Sequence, residues 1–353
     1  MAIPTHLLIA LIQAGILVNL MLVAAAYMVL AERKIAAWIQ NRVGPNRVGP
    51  WGLFQSFADV FKLYLKEDVV PAAADYRFHA LAPVISIGVA ITVYAIIPFS
   101  PAYVHDGVAY SLAMAPNMDI GILAVLAMTS VGVYGVALAG WSSNNKYSLL
   151  GGLRSAAQMI SYELSMGLAI IGVVLVAGTL NIVEMIDKQA AYGWNVFYQP
   201  VGFILFLITA LAETNRAPFD LPEAEPELVG GYHTEYSGMK FGLLYLAEYA
   251  NMLASSAIMA AMYLGGWDAI PFLDDATVLG LEAGSIPMVL IGHVVFLSKA
   301  FLLVFVFIWV RWSLPRFRYD QLMNLGWKIL LPISLVNVVV TGLVIFFQQY
   351  FSK

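Results

Sequence analysis

The chain has 353 residues, of which 61% are hydrophobic and only 11% charged, and its mean hydropathy is +0.80. Soluble domains carry roughly 25% charged residues, so this composition excludes one and points to an all-α, polytopic membrane protein. The net charge of −4 decides little, whereas the lack of any cysteine excludes disulfides and cysteine-bound zinc or iron–sulfur clusters.

The first apolar run, residues 6–31, is long enough to cross a hydrocarbon core of about 30 Å. It has no basic leader and no small-residue cleavage site, so it reads as a retained span and not a signal peptide. Glu32 and Arg33 close it, and an ion pair between them is the plain reading. NRVGPNRVGP, residues 41–50, repeats five residues, and its Gly-Pro pairs mark the turns of a surface loop. Trp51, Phe54, Phe57, Phe61 and Tyr64 then recur at three- and four-residue spacing, with Asp59, Lys62 and Lys66 off that face. This is an amphipathic helix over 51–65, too polar to span. It packs on the bundle at the interface; it also suits one wall of an opening for an apolar, long-tailed ligand.

Seven further spans follow, over roughly 78–99, 118–140, 155–178, 199–213, 240–265, 288–311 and 328–349. The run at 199–213 is short, and its helix continues or breaks at Asn215–Pro218. Of the five histidines (His6, His79, His105, His233 and His293), only His293 lies well within an apolar run, so no paired intramembrane haem ligation is visible. No Gly-rich dinucleotide fingerprint and no phosphate loop occurs. By its own residues the chain holds no metal, haem or iron–sulfur cluster, and nothing suggests nucleic acid.

Fifteen of the eighteen Lys and Arg fall in the loops after spans 1, 3, 5 and 7. The positive-inside rule makes that side cytoplasmic and sends both termini to the other. The same side receives the acid-rich stretch AETNRAPFDLPEAEPELVGGYHTEYSGMKFG, residues 212–242. There Glu213, Asp220, Glu223, Glu225, Glu227 and Glu235 face only Arg216 and Lys240 in sequence, and the loop proper runs from 214 to 239. A solvated acidic surface is one reading. Against it, PFDLP and LVGGY interleave with the acids, as in a folded, partly buried segment.

Ionisable residues also lie at depth. Glu163 is nine residues past Arg154 and Glu248 eight past Lys240, so both sit roughly 12–13 Å down their helices. Lys299 precedes Arg311 by twelve residues, about 18 Å from that side. Each costs several kcal/mol in lipid and must meet a partner or a wet cavity. Ser155, Gln158, Ser161, Tyr162 and Ser165 give Glu163 a polar surround, as Tyr245, Tyr249 and Asn251 do for Glu248. A buried ion-pair or hydrogen-bond network is the bland reading; Lys299 can pair one glutamate but not both. Burial and like-charge neighbours favour a protonated carboxyl, so the acids together suit a proton path or a sensor of nearby charge.

Four separated segments now carry a resemblance. AERKIAAWIQNRVGPNRVGPWGLFQSFADVFKLYLKE (31–67), WSSNNKYSLLGGLRSAAQMISYELSMGL (141–168), AETNRAPFDLPEAEPELVGGYHTEY (212–236) with AEYANM (247–252), and PRFRYDQLM (315–323) resemble the H subunits of NADH:quinone oxidoreductase, respiratory complex I, whose mitochondrial counterpart is the first mitochondrially encoded subunit. The likeness covers nearly the whole chain. It implies a single transmembrane domain over 1–353 in a bacterial inner membrane, with both termini periplasmic. It implies a subunit that anchors the peripheral arm and forms the chamber for a bilayer quinone, ubiquinone or menaquinone, the substrate. Partners are the peripheral subunits with the terminal iron–sulfur cluster and the quinone head-group site, the small and antiporter-like membrane subunits, and lipid. Matched motif by motif, Glu163, Glu213, Glu223, Glu225, Glu227, Glu235, Glu248 and Lys299 would couple charge to proton movement. Arg33, Trp38, Phe54, Asp59, Lys62, Arg216, Phe219 and Asp220 would line the quinone chamber.

Three rivals compete. A stand-alone proton-coupled transporter explains buried acids, but such folds often repeat their halves and no such repeat shows here. The membrane subunit of an energy-converting hydrogenase lacks a quinone. A purely structural anchor predicts that the buried glutamates can be neutralised without loss of pumping.

Overall fold

The computed structural model describes residues 5–105, 108–111, 113–115, 118–220, 229–273, 280–282 and 284–351. Helix α1, Thr5–Ile39, is 35 residues long, roughly 52 Å, so it outreaches a hydrocarbon core and carries its charged end beyond it. A helix is expected from Trp51, but Trp51 has φ 54° and its neighbours Gly49 and Gly52 have φ 73° and 78°. Such left-handed residues break a helix, and α2 starts four residues later, at Gln55–Leu65.

The Asp75 carboxylate accepts from the Arg77 and Phe78 amides and starts α3, Tyr76–Ile96. A short antiparallel hairpin, β1 Tyr103–His105 with β2 Val108–Tyr110, leads to α4, Gly121–Ser142. Asn145 caps α5, Lys146–Ala177, and Gly178 ends it in the left-handed conformation. Three shorter helices follow: α6 Ile182–Tyr192, α7 Asn195–Tyr198 and α8 Pro200–Glu213. A 3-10 turn at Gly231–His233 precedes α9, Gly238–Tyr263. Then come α10, Ile286–Ser313, α11, Tyr319–Asn324, a π turn at Leu325–Leu330 and α12, Leu331–Phe351.

Helices occupy the eight apolar runs read from sequence, and among the described residues six segments are long and apolar enough to cross a membrane: Leu11–Ile39, Tyr76–Ile96, Gly121–Ser142, Lys146–Ala177, Ile286–Ser313 and Tyr319–Phe351. Eight spans are expected from sequence. The two segments outside the six are α8, only 14 residues long, and α9, which carries Lys240 and Glu248.

Lipid gives helices no hydrophobic reason to associate, so close packing must hold them. Accordingly α3, α4 and α5 meet through small residues. A Cβ on Gly140 of α4 would lie 2.6 Å from the Ser148 carbonyl and 2.9 Å from Gly152 Cα of α5. A large apolar core joins α1, α3, α5, α8, α9 and α10, with Tyr162, Phe296, Phe307 and Met259 among its buried side chains. The end of α1, the starts of α3, α5 and α9 and the ends of α4, α8 and α10 gather at one end of the bundle. Asp75 N bonds Ser142 O at 2.9 Å, and Lys240 pairs Asp68 at 2.7 Å.

Candidate functional site

The turn after α8 is fixed from α5. Gln158 Nε2 donates to Ala212 O at 2.7 Å and to Phe219 O at 2.9 Å, one bond on each side of the turn. Ser155 Oγ donates to Asn215 Oδ1 at 3.2 Å, and Asn215 takes φ 49°, which asparagine tolerates. Much of the polar stripe expected around Glu163 is therefore spent on neighbouring backbone. Tyr162 likewise donates to Leu322 O at 2.9 Å, and Ser161 accepts from Trp327 Nε1 at 3.1 Å.

The acids at depth come together from several helices. Glu163 of α5 accepts from Ser130 of α4. Glu213, the last residue of α8, interacts electrostatically with Glu163 and hydrogen-bonds Thr129 of α4. Glu213 and Glu248 of α9 both face a cavity of about 30 Å³, together with Thr129, Tyr232 and Asn251. Tyr232 donates to Glu248 Oε1 at 2.6 Å, and His233 Nε2 lies 3.9 Å from the same oxygen.

The 231–233 turn is held by contact no side chain could share. A Cβ on Gly151 of α5 would lie 2.7 Å from Gly231 Cα and 2.8 Å from Tyr232 N. That approach buries Tyr232, at 1% exposure, and aims its hydroxyl at Glu248. Glu235 is half-buried and accepts from Asn145 Nδ2 at 2.5 Å. Beside it Tyr236 stacks on His79 at 4.0 Å, and burial pushes its phenol up to about 12 although Ser142 partly offsets this. Glu223, Glu225 and Glu227 lie outside the described residues.

A second charged group has Glu32 at its centre. Arg216 Nη1 lies 2.8 Å from Glu32 Oε2, Tyr249 donates to that oxygen at 2.7 Å, and Arg311 pairs the other oxygen. The pairing of Glu32 with Arg33 expected from their adjacency does not form: Arg33 turns away to Asp59 at 2.7 Å. Arg216 lies 4.1 Å from the Tyr249 ring, a cation–π contact. Burial opposes its charge, but Tyr249, Glu32 and Glu248 outweigh that and hold the guanidinium above its ordinary pKa. Among the described residues its Nε and Nη2 donate to nothing.

The residues assigned to the quinone chamber fall into two sets. Arg33, Asp59 and Lys62 form a surface chain, with Lys62 3.5 Å from Asp59, while Trp38 and Phe54 are exposed. Ser56 Oγ donates to Ala26 O at 2.8 Å and Tyr27 meets Phe57 edge-on at 6.4 Å, which seats α2 on α1. Phe57, Phe61 and Tyr64 stay exposed. Arg216, Phe219 and Asp220 are buried instead. Phe219 sits between Tyr162 and Phe317, and Asp220 pairs Arg316 at 3.0 Å.

Lys299 stands apart from both groups. Its ammonium donates to Leu264 O and Asp268 O past the end of α9 and lies 4.2 Å from the Trp194 ring. Leu264 is sixteen residues beyond Glu248, roughly 24 Å along the helix. Sequence reasoning misses Tyr232, Ser130, Thr129 and Arg311, and treats Glu32 only as a local pair. Thr129 and Ser130 in an apolar helix, and Tyr232 in a loop turn, carry no signal of their own. A carboxylate at a span end is the one available signal for Glu32.

The NADH dehydrogenase family model matches residues 12–342 of the chain. The chain is 52% identical over 336 residues to NADH-quinone oxidoreductase subunit 8 of Rhodothermus marinus, covering 94% of this chain and 95% of that protein. It is also 52% identical to the NADH-quinone oxidoreductase H subunit of Salinibacter ruber, over 94% of both chains. Against an NADH-quinone oxidoreductase H subunit of Koribacter versatilis it is 45% identical over 97% of this chain and 98% of that one.

Proposed function

The chain belongs to the NADH dehydrogenase family, and on that premise we propose that it is the membrane subunit of a proton-pumping NADH:quinone oxidoreductase that couples quinone reduction to proton movement. It has no cysteine, so cysteine-ligated clusters belong to other subunits. Its own part is to admit the quinone, hold charge near it and pass the effect inward.

The observation that carries this reading is the cavity shared by Glu213 and Glu248. At about 30 Å³ it has room for water beside polar partners. Two carboxyl groups on one small cavity resist ionising together, so a change of nearby charge shifts the proton between or from them. Glu163 extends the set through Glu213, and Tyr232 and Thr129 supply hydrogen bonds along it. Arg216 supplies the link to the quinone side, because its field acts on both Glu32 and Glu248. Reduction of a quinone head draws protons, and a buried guanidinium with free donors suits the charge that appears meanwhile.

The exposed aromatic side of α2 supports an entrance for a long-tailed quinone from lipid. In this reading α8 and α9 cross the bilayer as well, giving eight spans in a bacterial inner membrane. The bases gathered at one end make that end cytoplasmic, the termini periplasmic, and the Arg316–Asp220 region a meeting place for peripheral-arm subunits. Glu223, Glu225, Glu227 and Glu235 continue the acids outward, and Lys299 acts at the far end, toward the other membrane subunits.

Purification through a tag on this chain tests the reading. Iron–sulfur subunits and NADH:quinone reductase activity should come with it. A chain that purifies alone and moves protons in liposomes would overturn it in favour of a stand-alone transporter.

A further inference from the structure

A second cavity lies away from the acids, between α1, α9 and α10, with a volume of about 310 Å³. It is at the small end of the range for small-molecule sites. Met21, Tyr94, Ala257 and Ala300 form a buried floor, at 4% exposure or less. Leu20 and Phe301 form its rim at 63% and 47% exposure, and both sit in membrane-crossing helices. The cavity therefore opens sideways, toward lipid. Gln13, Leu17, Leu20 and Ala24 line it from one stripe of α1, at three- and four-residue spacing. From Gln13 to Ala24 the stripe runs roughly 16 Å, the reach of one alkyl chain of medium length.

One end is polar. His293 lines the cavity, and its Nδ1 lies 3.0 Å from Phe99 O. A carbonyl can only accept, so Nδ1 carries the hydrogen and the neutral ring keeps Nε2 as an acceptor. Among the described residues Nε2 has no hydrogen-bond partner. Gln13 Nε2 donates one N–H to Ser111 O at 3.5 Å and keeps a second N–H and its carbonyl oxygen. An acceptor on His293 and a spare donor on Gln13, at the end of an apolar slot, call for a head that both donates and accepts, as a hydroxyl does. We infer that this cavity binds a single-chain amphiphile with a hydrogen-bond-donating hydroxyl head, the hydroxyl meeting His293 and Gln13 and the chain lying along α1 toward Ala24. A plain hydrocarbon chain leaves both groups unmet, which is the cost that selects the hydroxyl.

Two photoreactive probes test it in the assembled complex in lipid nanodiscs: dodecanol and dodecane, each carrying a diazirine at the chain end. Dodecanol labelling should concentrate on residues 20–24 and 297–301, at the chain end, and fall when unlabelled dodecanol competes. His293→Phe should lower dodecanol labelling about threefold to tenfold, the worth of one hydrogen bond, and leave dodecane labelling unchanged. Leu20→Trp should block both probes. Even labelling of all lipid-facing helices, or an equal effect of His293→Phe on both probes, overturns the assignment. If Leu20→Trp does not assemble, the comparison of the two probes on the His293 variant still decides.

Discussion

Arg216, in the turn after α8, reaches Glu32 near the end of α1 at 2.8 Å, and the two side chains are 3% and 6% exposed. The bond ties the turn to the first helix across 184 residues of sequence. Removing Arg216 leaves Glu32 with Arg311 and Tyr249, so the cost falls below the roughly 3–5 kcal/mol of a fully stranded buried charge. Arg216→Met should therefore lower the melting temperature of the assembled complex or its yield by that measure. Arg216→Lys keeps the charge without the planar fork and should recover assembly more than activity. A Met variant as stable as the parent would show that the pair does not hold the turn.

Gly151 faces Gly231 so closely that a Cβ would lie 2.7 Å from backbone. Gly151→Ala must push the 231–233 turn off α5 and move Tyr232 from Glu248. Overpacking of this kind costs about 1–3 kcal/mol. The expected outcome is an assembled complex of reduced stability with impaired turnover, read by thermal melting and NADH:quinone assays. Unchanged turnover would separate the turn from function.

Phe54 is 55% exposed at the start of α2, beside the exposed rings of Phe57, Phe61 and Tyr64. Phe54→Trp should raise the KM for long-tailed quinones several-fold and alter it little for short-tailed ones. Steady-state kinetics with the two tail lengths would show this. Equal change in both would speak against an entrance at α2.

Lys299 closes the end of α9 by donating to Leu264 O and Asp268 O. A cation there is worth about 0.3–2 kcal/mol. Lys299→Met should cost stability of that order and retain most of the quinone reductase rate. Proton pumping per quinone reduced as high as the parent's would take Lys299 out of the coupling role proposed for it.

Apolar length decides where the helices fall, and the loops that hold most of the bases gather at one end of the bundle. Charge at depth singles out Glu163, Glu248 and Lys299, and the acid-rich stretch adds Glu213 at a span's end, because an ionised group in a span always needs a reason. Partners are a different matter. Adjacency pairs Glu32 with Arg33, whereas three-dimensional packing gives it Arg216 and Arg311, 184 and 279 residues away. The serines and Gln158 near Glu163 look in sequence like its polar shell, but Gln158 bonds the backbone of the 212–219 turn, Ser155 the Asn215 side chain and Ser161 its own helix. The start of α2 escapes the spacing rule because Trp51 adopts a left-handed conformation that no periodicity reveals.

The shared cavity of Glu213 and Glu248 is the centre of the account, and a double-mutant cycle addresses it most directly. Proton pumping per quinone reduced is measured in proteoliposomes for Glu213→Gln, Glu248→Gln and the two together. Groups that work as one unit are strongly non-additive, so the double variant should be no worse than the more damaged single. Losses that multiply, with each residue failing independently of the other, would contradict a common site.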